Sequence, residues 1–131
     1  MSLYGLSARD ISFLSEKFSG KELENAARRV ASGEPLPYVI GEWYFMNETY
    51  EVGTDCLVPR PETEHLVEKL VSLCPENGVF ADLCTGSGCV AVSTLSMRPD
   101  LSAVAFDVSE KALEIARRNA ARNGVSERIT F

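Results

Sequence analysis

The spacing of apolar residues predicts two helices in the first third of the chain. The first begins after Ser7, which with the acid Asp10 matches a helix-start pattern. Its apolar stripe recurs every three or four positions, at Ile11, Leu14 and Phe18. The second helix is predicted to start after Ser19 and to stop at Gly33. Its apolar stripe is formed by Leu23, Ala26, Ala27 and Val30. Residues 1–37 are therefore predicted to form a helical segment that serves packing or recognition.

The pattern then changes to aromatic and β-branched residues, which favour strands. They flank the polar pair Asn47-Glu48 over the stretch from Tyr38 to Val52, so a β-hairpin is predicted there. Packing against a sheet or core is the preferred interpretation of its three successive aromatic residues, Trp43, Tyr44 and Phe45. A stacking surface is the alternative. Residues 38–58 are accordingly assigned as a hairpin linker.

Residues 59–131 show the alternation of strands and helices that is typical of an α/β fold. Two prolines around Arg60 predict a stiff, extended segment, and Pro61 suits the first position of a helix. From Val79 the pattern becomes strand, loop, helix, strand, helix and strand. Such alternation produces a parallel sheet with right-handed crossovers. The predicted fold class is α/β, with the first strands of a Rossmann-like parallel sheet after the helical segment and the hairpin.

Composition and charge narrow the classes of function. The net charge of −6, without a basic stripe, argues against a general affinity for nucleic acid or an anionic membrane. No apolar run approaches the ~20 residues that span a bilayer, and no signal peptide is predicted. The cysteines form no C-x-x-C pair and the single histidine, His65, has no cysteine nearby, so no metal site is predicted. No disulfide scaffold is predicted either, because the helix and strand patterns predict a conventional core. The expected location is the cytoplasm.

A glycine-rich loop carries the chemistry of the α/β region. The first strand ends near Asp82 and runs into the loop Cys84-Thr85-Gly86-Ser87-Gly88, which a helix follows. Its glycines let the backbone turn and let a ligand approach the main chain. A second acid, Asp107, ends the next strand nineteen residues after Gly88. Because the carboxyl ends of parallel strands meet at one edge of a sheet, this set predicts a nucleoside-binding crevice.

Two kinds of nucleoside cofactor fit such a crevice. Gly86 to Ala91 matches the dinucleotide fingerprint G-x-G-x-x-G/A, which makes a nicotinamide or flavin enzyme a candidate. The Asp82 carboxylate, however, would repel a pyrophosphate and attract an ammonium group. S-adenosylmethionine has an ammonium, no phosphate, and ribose hydroxyls from which Asp107 can accept hydrogen bonds. The charge argument favours S-adenosylmethionine.

Each candidate residue also has a plainer structural interpretation. Asp82 is a candidate cap for the turn after it. Ser109 is the better cap for the helix that follows Asp107, which leaves Asp107 freer to bind a ligand. Cys84 and Cys89 are most simply small buried residues. His65 is interpreted as a solvated side chain on the polar side of its helix.

The wider sequence resembles the HemK/PrmC family of glutamine N5-methyltransferases, which act on peptide chain release factors. The most specific match is the segment Leu57-Val58-Pro59-Arg60-Pro61-Glu62-Thr63-Glu64. Further matches are the loop Asp82 to Gly88, the segment Asp107-Val108-Ser109 and the helix residues Ala112, Leu113, Ala116, Asn119, Ala120 and Asn123. The resemblance covers about residues 27–131 and implies methyl transfer from S-adenosylmethionine to the side-chain amide nitrogen of a glutamine in a release factor, in translation termination.

The resemblance also implies a set of site residues. The cofactor is expected to be bound by Asp82, Cys84, Thr85, Gly86, Ser87, Gly88 and Asp107, with Asp82 near its methionine part. The pocket is expected to be lined in addition by Arg60, Pro61, Glu62 and Thr63. Cys84 stands where the family commonly has glycine, so Cys84 is expected to avoid a positive φ.

The family's Asn-Pro-Pro-Tyr motif, which holds the target amide, does not occur in residues 1–131. No catalytic residue is therefore assigned, and the chain is expected to be a truncated piece that binds cofactor weakly without turnover. The helical segment is shorter than the family's recognition domain. Three alternatives are a methyltransferase of the same class with another protein or small-molecule substrate, a non-catalytic module that contacts a protein through its aromatic hairpin, and the NAD-dependent oxidoreductase that Asp82 disfavours.

Overall fold

The computed structural model describes residues 3–131, and its contacts divide the chain into two compact units. One unit ends at Glu42 and the other runs from Trp43 to Phe131. The boundaries proposed for the helical, linker and Rossmann-like segments stay a prediction.

The first unit consists of a short 3₁₀ turn and three helices. The helices are α1 (Ala8–Lys17), α2 (Gly20–Ala31) and α3 (Leu36–Ile40). The predicted cap of α1 is confirmed, because the Ser7 hydroxyl accepts a hydrogen bond from the Asp10 main-chain N–H at 3.1 Å. The unit's core combines residues of all three helices, namely Leu14, Ala26, Ala27 and Val39.

Helix α3 corrects the prediction that strand begins at Tyr38. A proline in the first turn of a helix loses no hydrogen bond, so Pro37 fits there in spite of the β-branched residues that follow. Gly41, with φ of 81°, then ends the helix, and its N–H donates to the Pro37 carbonyl at 2.8 Å. The hairpin prediction holds only from Glu42 onward.

The hairpin pairs β1 (Glu42–Phe45) with β2 (Glu48–Glu51) across the two-residue turn Met46-Asn47. Phe45 and Tyr50 are buried and meet edge to face, with ring centroids 6.0 Å apart. The interpretation of the aromatic run as packing thus holds for Phe45. Tyr44, in contrast, is 67% exposed.

The α/β region begins with a 3₁₀ turn at Pro61–Thr63, which leads into α4 (Glu64–Leu73). The elements that follow are β3 (Val79–Leu83), α5 (Cys89–Met97), β4 (Ser102–Phe106), α6 (Glu110–Arg122), a 3₁₀ turn (Ser126–Arg128) and β5 (Ile129–Thr130). The strands form a parallel sheet in the order β3-β4-β5. The predicted α/β class with a parallel sheet is confirmed.

Only one face of this sheet is buried in the core. The inward residues Phe80, Ala103, Ala105 and Ile129 pack in one cluster with residues of α5. On the opposite face Val79, Leu83 and Phe106 are 70%, 71% and 51% exposed. Because the loops at the carboxyl ends of β3 and β4 adjoin each other, the glycine loop and Asp107 lie at the same edge of the sheet.

Candidate functional site

The loop between β3 and α5 makes its turn through three residues in the left-handed region. Cys84 has φ of 62°, Gly86 of 56° and Gly88 of 80°. The expectation that Cys84 avoids a positive φ is therefore wrong. The chain turns immediately after β3, at the position where the related family has glycine, and a residue with a Cβ is strained there. The prediction that Cys84 is a buried residue is also wrong, since it is exposed.

Asp82 stabilises the loop from the end of β3. Its Oδ2 accepts hydrogen bonds from the Thr85 hydroxyl at 2.7 Å and from the Ala91 N–H at 3.3 Å. Burial raises the pKa of Asp82 above its ordinary value, and the hydrogen bonds from Thr85 and Ala91 offset part of that rise. Asp82 thus makes the contacts of a turn cap, and the same side chain also lines a cavity.

Asp107 bridges the loop and the start of α6. Its Oδ2 accepts from the Gly86 N–H at 2.9 Å and its Oδ1 accepts from the Ser109 N–H at 2.9 Å. Ser109 is the cap of α6, as predicted, with its hydroxyl accepting from Ala112 N–H at 3.2 Å. Asp107 is nevertheless engaged, because both of its oxygens accept hydrogen bonds from main-chain N–H groups. An ionised carboxylate offers about four acceptor positions, so capacity for hydroxyl donors remains.

A cavity of about 160 Å³ opens where the glycine loop faces the Pro-Arg-Pro segment. Its lining residues are Leu57, Val58, Pro59, Arg60, Thr63, Asp82, Cys84, Thr85, Gly86, Ser87, Cys89 and Val90. Of the residues predicted upstream, Arg60 and Thr63 contribute to this lining, whereas Pro61 and Glu62 are exposed and do not. Ligand sites usually enclose ~300–1,000 Å³, so this cavity fits part of a nucleoside cofactor.

A larger concavity, about 430 Å³, lies at the other end of the strands. It is lined by Cys74, Glu76, Asn77, Arg98 and Asp100. The Arg98 guanidinium there is already paired with Asp100 at 2.7 Å and donates to the Val71 carbonyl at 2.7 Å. Ligands of α/β sheets bind at the carboxyl ends of the strands, so the smaller cavity is the candidate site.

Two residues that support the site were not singled out as site residues from the sequence. Asn119 is fully buried and donates to the Ser87 carbonyl of the glycine loop at 2.8 Å. Glu64 accepts from the Met46 N–H at 2.7 Å, which ties the hairpin turn to α4. The signal for Asn119 was its position on the otherwise apolar face of α6, beside Ala116 and Ala120.

The remaining titratable candidates are Cys89, which lines the cavity, and His65, which does not. Burial raises the pKa of the Cys89 thiol to about 11, so the thiolate, its reactive form, is scarce at neutral pH. His65 is exposed and lies 3.3 Å from a Glu68 oxygen, as expected of a solvated side chain. Within residues 3–131, no cluster of three or more His, Cys, Asp or Glu side chains is arranged to hold a metal ion.

The site and the fold together define an α/β domain with a cavity at the carboxyl ends of parallel strands. Within that class, the chain belongs to the methyltransferase small domain family, whose model matches residues 58–131. Over the part of the chain that the structure describes, no helix has the length and apolarity needed to cross a membrane.

Relatives from several bacteria refine the comparison. The chain is 49% identical over 109 residues to a release factor glutamine methyltransferase of Nitratidesulfovibrio vulgaris, a match covering 82% of this chain and 37% of the relative. It is 48% identical over 108 residues to the protein of that name in Neisseria gonorrhoeae, covering 82% and 39%. The resemblance to glutamine methyltransferases of release factors is thereby confirmed. The chain spans about two fifths of the length of these relatives.

Among solved structures, the chain is similar to YjhP from E. coli. The sequence identity is 29%, the TM-score is 0.48, and the match covers 56% of this chain and 31% of that one.

Proposed function

We propose that this chain supplies the cofactor-binding part of an enzyme that transfers a methyl group from S-adenosylmethionine to the side-chain amide nitrogen of a glutamine in a peptide chain release factor. The observation that carries the proposal is the cavity in which the glycine loop meets the Pro-Arg-Pro segment. Its residues carry charges of both signs, Asp82 and Arg60. The names of the relatives support the choice of substrate.

The residues around the cavity suit a phosphate-free nucleoside with an amino-acid moiety. The Asp82 carboxylate attracts an ammonium group and the Arg60 guanidinium attracts a carboxylate. Asp107 has acceptor capacity for ribose hydroxyls. Thr85, Gly86 and Ser87 line the cavity and bring main chain close to the ligand, and Cys84 borders it at the end of β3. When bound, S-adenosylmethionine supplies an electrophilic methyl group on a sulfonium.

The acceptor side of the reaction needs groups that aim a weakly nucleophilic amide nitrogen at the methyl group. In the related family an Asn-Pro-Pro-Tyr sequence has that role, and residues 1–131 do not contain it. We propose that the unit up to Glu42 contributes to recognition of the release factor.

Calorimetric titration with S-adenosylhomocysteine tests the cofactor assignment. We expect measurable binding to the wild-type chain and loss of binding in Asp107→Ala. NAD is the comparison ligand, and tight binding of NAD with none of S-adenosylhomocysteine would contradict the proposal. Absence of S-adenosylhomocysteine binding, together with binding of a protein partner that Asp107→Ala leaves unchanged, would instead favour a module that contacts a protein, with the exposed Tyr44 as its first contact.

The substrate assignment has its own test. A release factor domain that carries the target glutamine should bind the chain more tightly than an unrelated glutamine-bearing protein of similar size and charge. Equal binding of the two would retain the methyltransferase class and reject the release factor as substrate.

A further inference from the structure

The polar side chain of Asn119 lies in the most buried part of the α/β unit. It projects from α6 and has no solvent exposure. A buried amide requires partners for its two N–H groups and its oxygen, since an unmet group costs about 1–3 kcal/mol. All three are met, and the partners belong to two different segments of the chain.

The first partner is the end of the hairpin. Asn119 Oδ1 accepts from the Glu51 main-chain N–H at 2.7 Å, and Asn119 Nδ2 donates to the Glu51 carbonyl at 3.0 Å. The side-chain amide thus pairs with both main-chain groups of one residue, as a neighbouring strand would. This contact attaches β2 to α6.

The second partner is the glycine loop. Asn119 Nδ2 also donates to the Ser87 carbonyl at 2.8 Å. The N–H of the same peptide group, that of Gly88, donates to the Thr85 carbonyl at 2.8 Å. The peptide between Ser87 and Gly88 is therefore held at both ends, and its plane cannot rotate without loss of one of these bonds.

The same face of α6 also contacts the loop by packing. A Cβ placed on Gly88 would lie 3.1 Å from the Ala116 Cβ, closer than most real contacts. Ala116 precedes Asn119 by one turn of the helix, so the two residues form one surface against the loop. At the other end of the loop, Asp107 holds the Gly86 N–H.

We propose that Asn119 is a positioning residue that orders the glycine loop for cofactor binding and couples the hairpin to that loop. The proposal rests on the proposed function for the ligand, whereas the ordering of the loop is a property of the free chain. A loop already held in its binding conformation loses less conformational freedom when the ligand arrives, which increases affinity.

The principal test substitutes Asn119→Asp, which retains an acceptor for the Glu51 N–H and removes both donors. Calorimetry should show about tenfold weaker binding of S-adenosylhomocysteine, since one loop-ordering hydrogen bond is lost. Nitrogen-15 spectra should show altered Gly86 and Gly88 amide resonances at a temperature where circular dichroism shows a folded chain. Asn119→Ser is the second variant, because it introduces no buried charge.

Arg118→Ala is the matched control. Arg118 pairs with the Glu51 side chain at 2.7 Å, so its loss weakens the same attachment of hairpin to helix without touching the loop. We expect affinity within about twofold of wild type, as for an exposed ion pair. If Arg118→Ala weakens binding as much as Asn119→Asp, or if a folded Asn119→Asp binds like wild type, the proposal is wrong.

Hydrogen exchange in the wild-type chain provides a test without substitution. The Gly88 N–H and the Asn119 side-chain N–H groups should show similar protection in the absence of ligand. A rapidly exchanging Gly88 beside a protected Asn119 would overturn the proposal even if no variant folds. Failure of the wild-type chain to bind S-adenosylhomocysteine would reject the proposed function, while the exchange measurement still decides the role of Asn119.

Discussion

The carboxylate of Asp107 accepts a hydrogen bond from the main-chain N–H of Gly86 at 2.9 Å. The two residues lie in different loops and are 21 positions apart in sequence. The other oxygen of Asp107 holds the Ser109 N–H at the start of α6. One side chain therefore joins the glycine loop, the end of β4 and the helix that braces the loop. This makes the shape of the candidate site dependent on Asp107 before any ligand binds.

Substitution of Asp107→Asn should lower both stability and cofactor affinity. The amide has one acceptor oxygen for two N–H partners, and its own NH₂ would face one of those donors. We expect a loss of about 1–3 kcal/mol in the free energy of unfolding, measured with urea. Binding of S-adenosylhomocysteine should weaken at least tenfold in the same preparation. Asp55→Asn, at an exposed site with a 3.5 Å ion pair, is the control and should change neither quantity appreciably.

Substitution of Asp82→Asn should separate stability from binding. Burial raises the pKa of Asp82, so its ionised form is less favourable in the folded chain than in the unfolded chain. This unfavourable contribution to folding stability appears as the pH rises from the ordinary aspartate pKa, about 3.9, through the raised pKa of Asp82. It is fully present above the raised pKa. At pH 7 the neutral variant should thus melt at an equal or higher temperature, while its affinity for an ammonium-bearing ligand falls.

The wild-type pH profile provides the complementary measurement. Affinity for S-adenosylhomocysteine should decline as pH is lowered through the raised pKa of Asp82, and Asp82→Asn should lack that step. A step of equal size in the variant would mean that another group is responsible.

Local sequence signals predicted the elements whose ends are marked by glycine or proline. The α5 helix begins after Gly88, as predicted, and it ends at Met97, before Pro99. Helix α3 was missed because the β-branched side chains of Val39 and Ile40 favour strand. The backbone is helical there because Pro37 fits the first turn of a helix, and Gly41 then ends it. The positive φ of Cys84 was not expected from the sequence. The polar Asn119 on an apolar helix face was visible there, but its partners Glu51 and Ser87 are distant in sequence.

Substitution of Cys84→Gly should stabilise the chain. A residue with a Cβ in the left-handed region costs about 1–2 kcal/mol, and glycine avoids that cost. Glycine also gives the unfolded chain more conformational entropy, which lowers the stability of the folded chain by about 0.4–1 kcal/mol. A net gain of about 0.5–1 kcal/mol in urea unfolding is expected. Cys84→Ala keeps the Cβ at φ of 62° and should gain nothing. Equal gains in the two variants would assign the effect to the thiol instead of the backbone.

Substitution of Tyr50→Phe should lower stability without a change in cofactor affinity. The Tyr50 hydroxyl is buried, lies 2.5 Å from the Ser93 hydroxyl and donates to a Glu48 carboxylate oxygen at 2.7 Å. Burial strongly raises the pKa of this phenol, so it stays protonated and keeps its donor. Its removal takes one partner from Ser93 and one from Glu48 and leaves their long mutual hydrogen bond of 3.4 Å, which should cost about 1–3 kcal/mol in urea unfolding. Tyr44→Phe, on the exposed side of the hairpin, should leave stability unchanged. Weaker binding of S-adenosylhomocysteine by a folded Tyr50→Phe chain would instead place the Tyr50 network in contact with the candidate site.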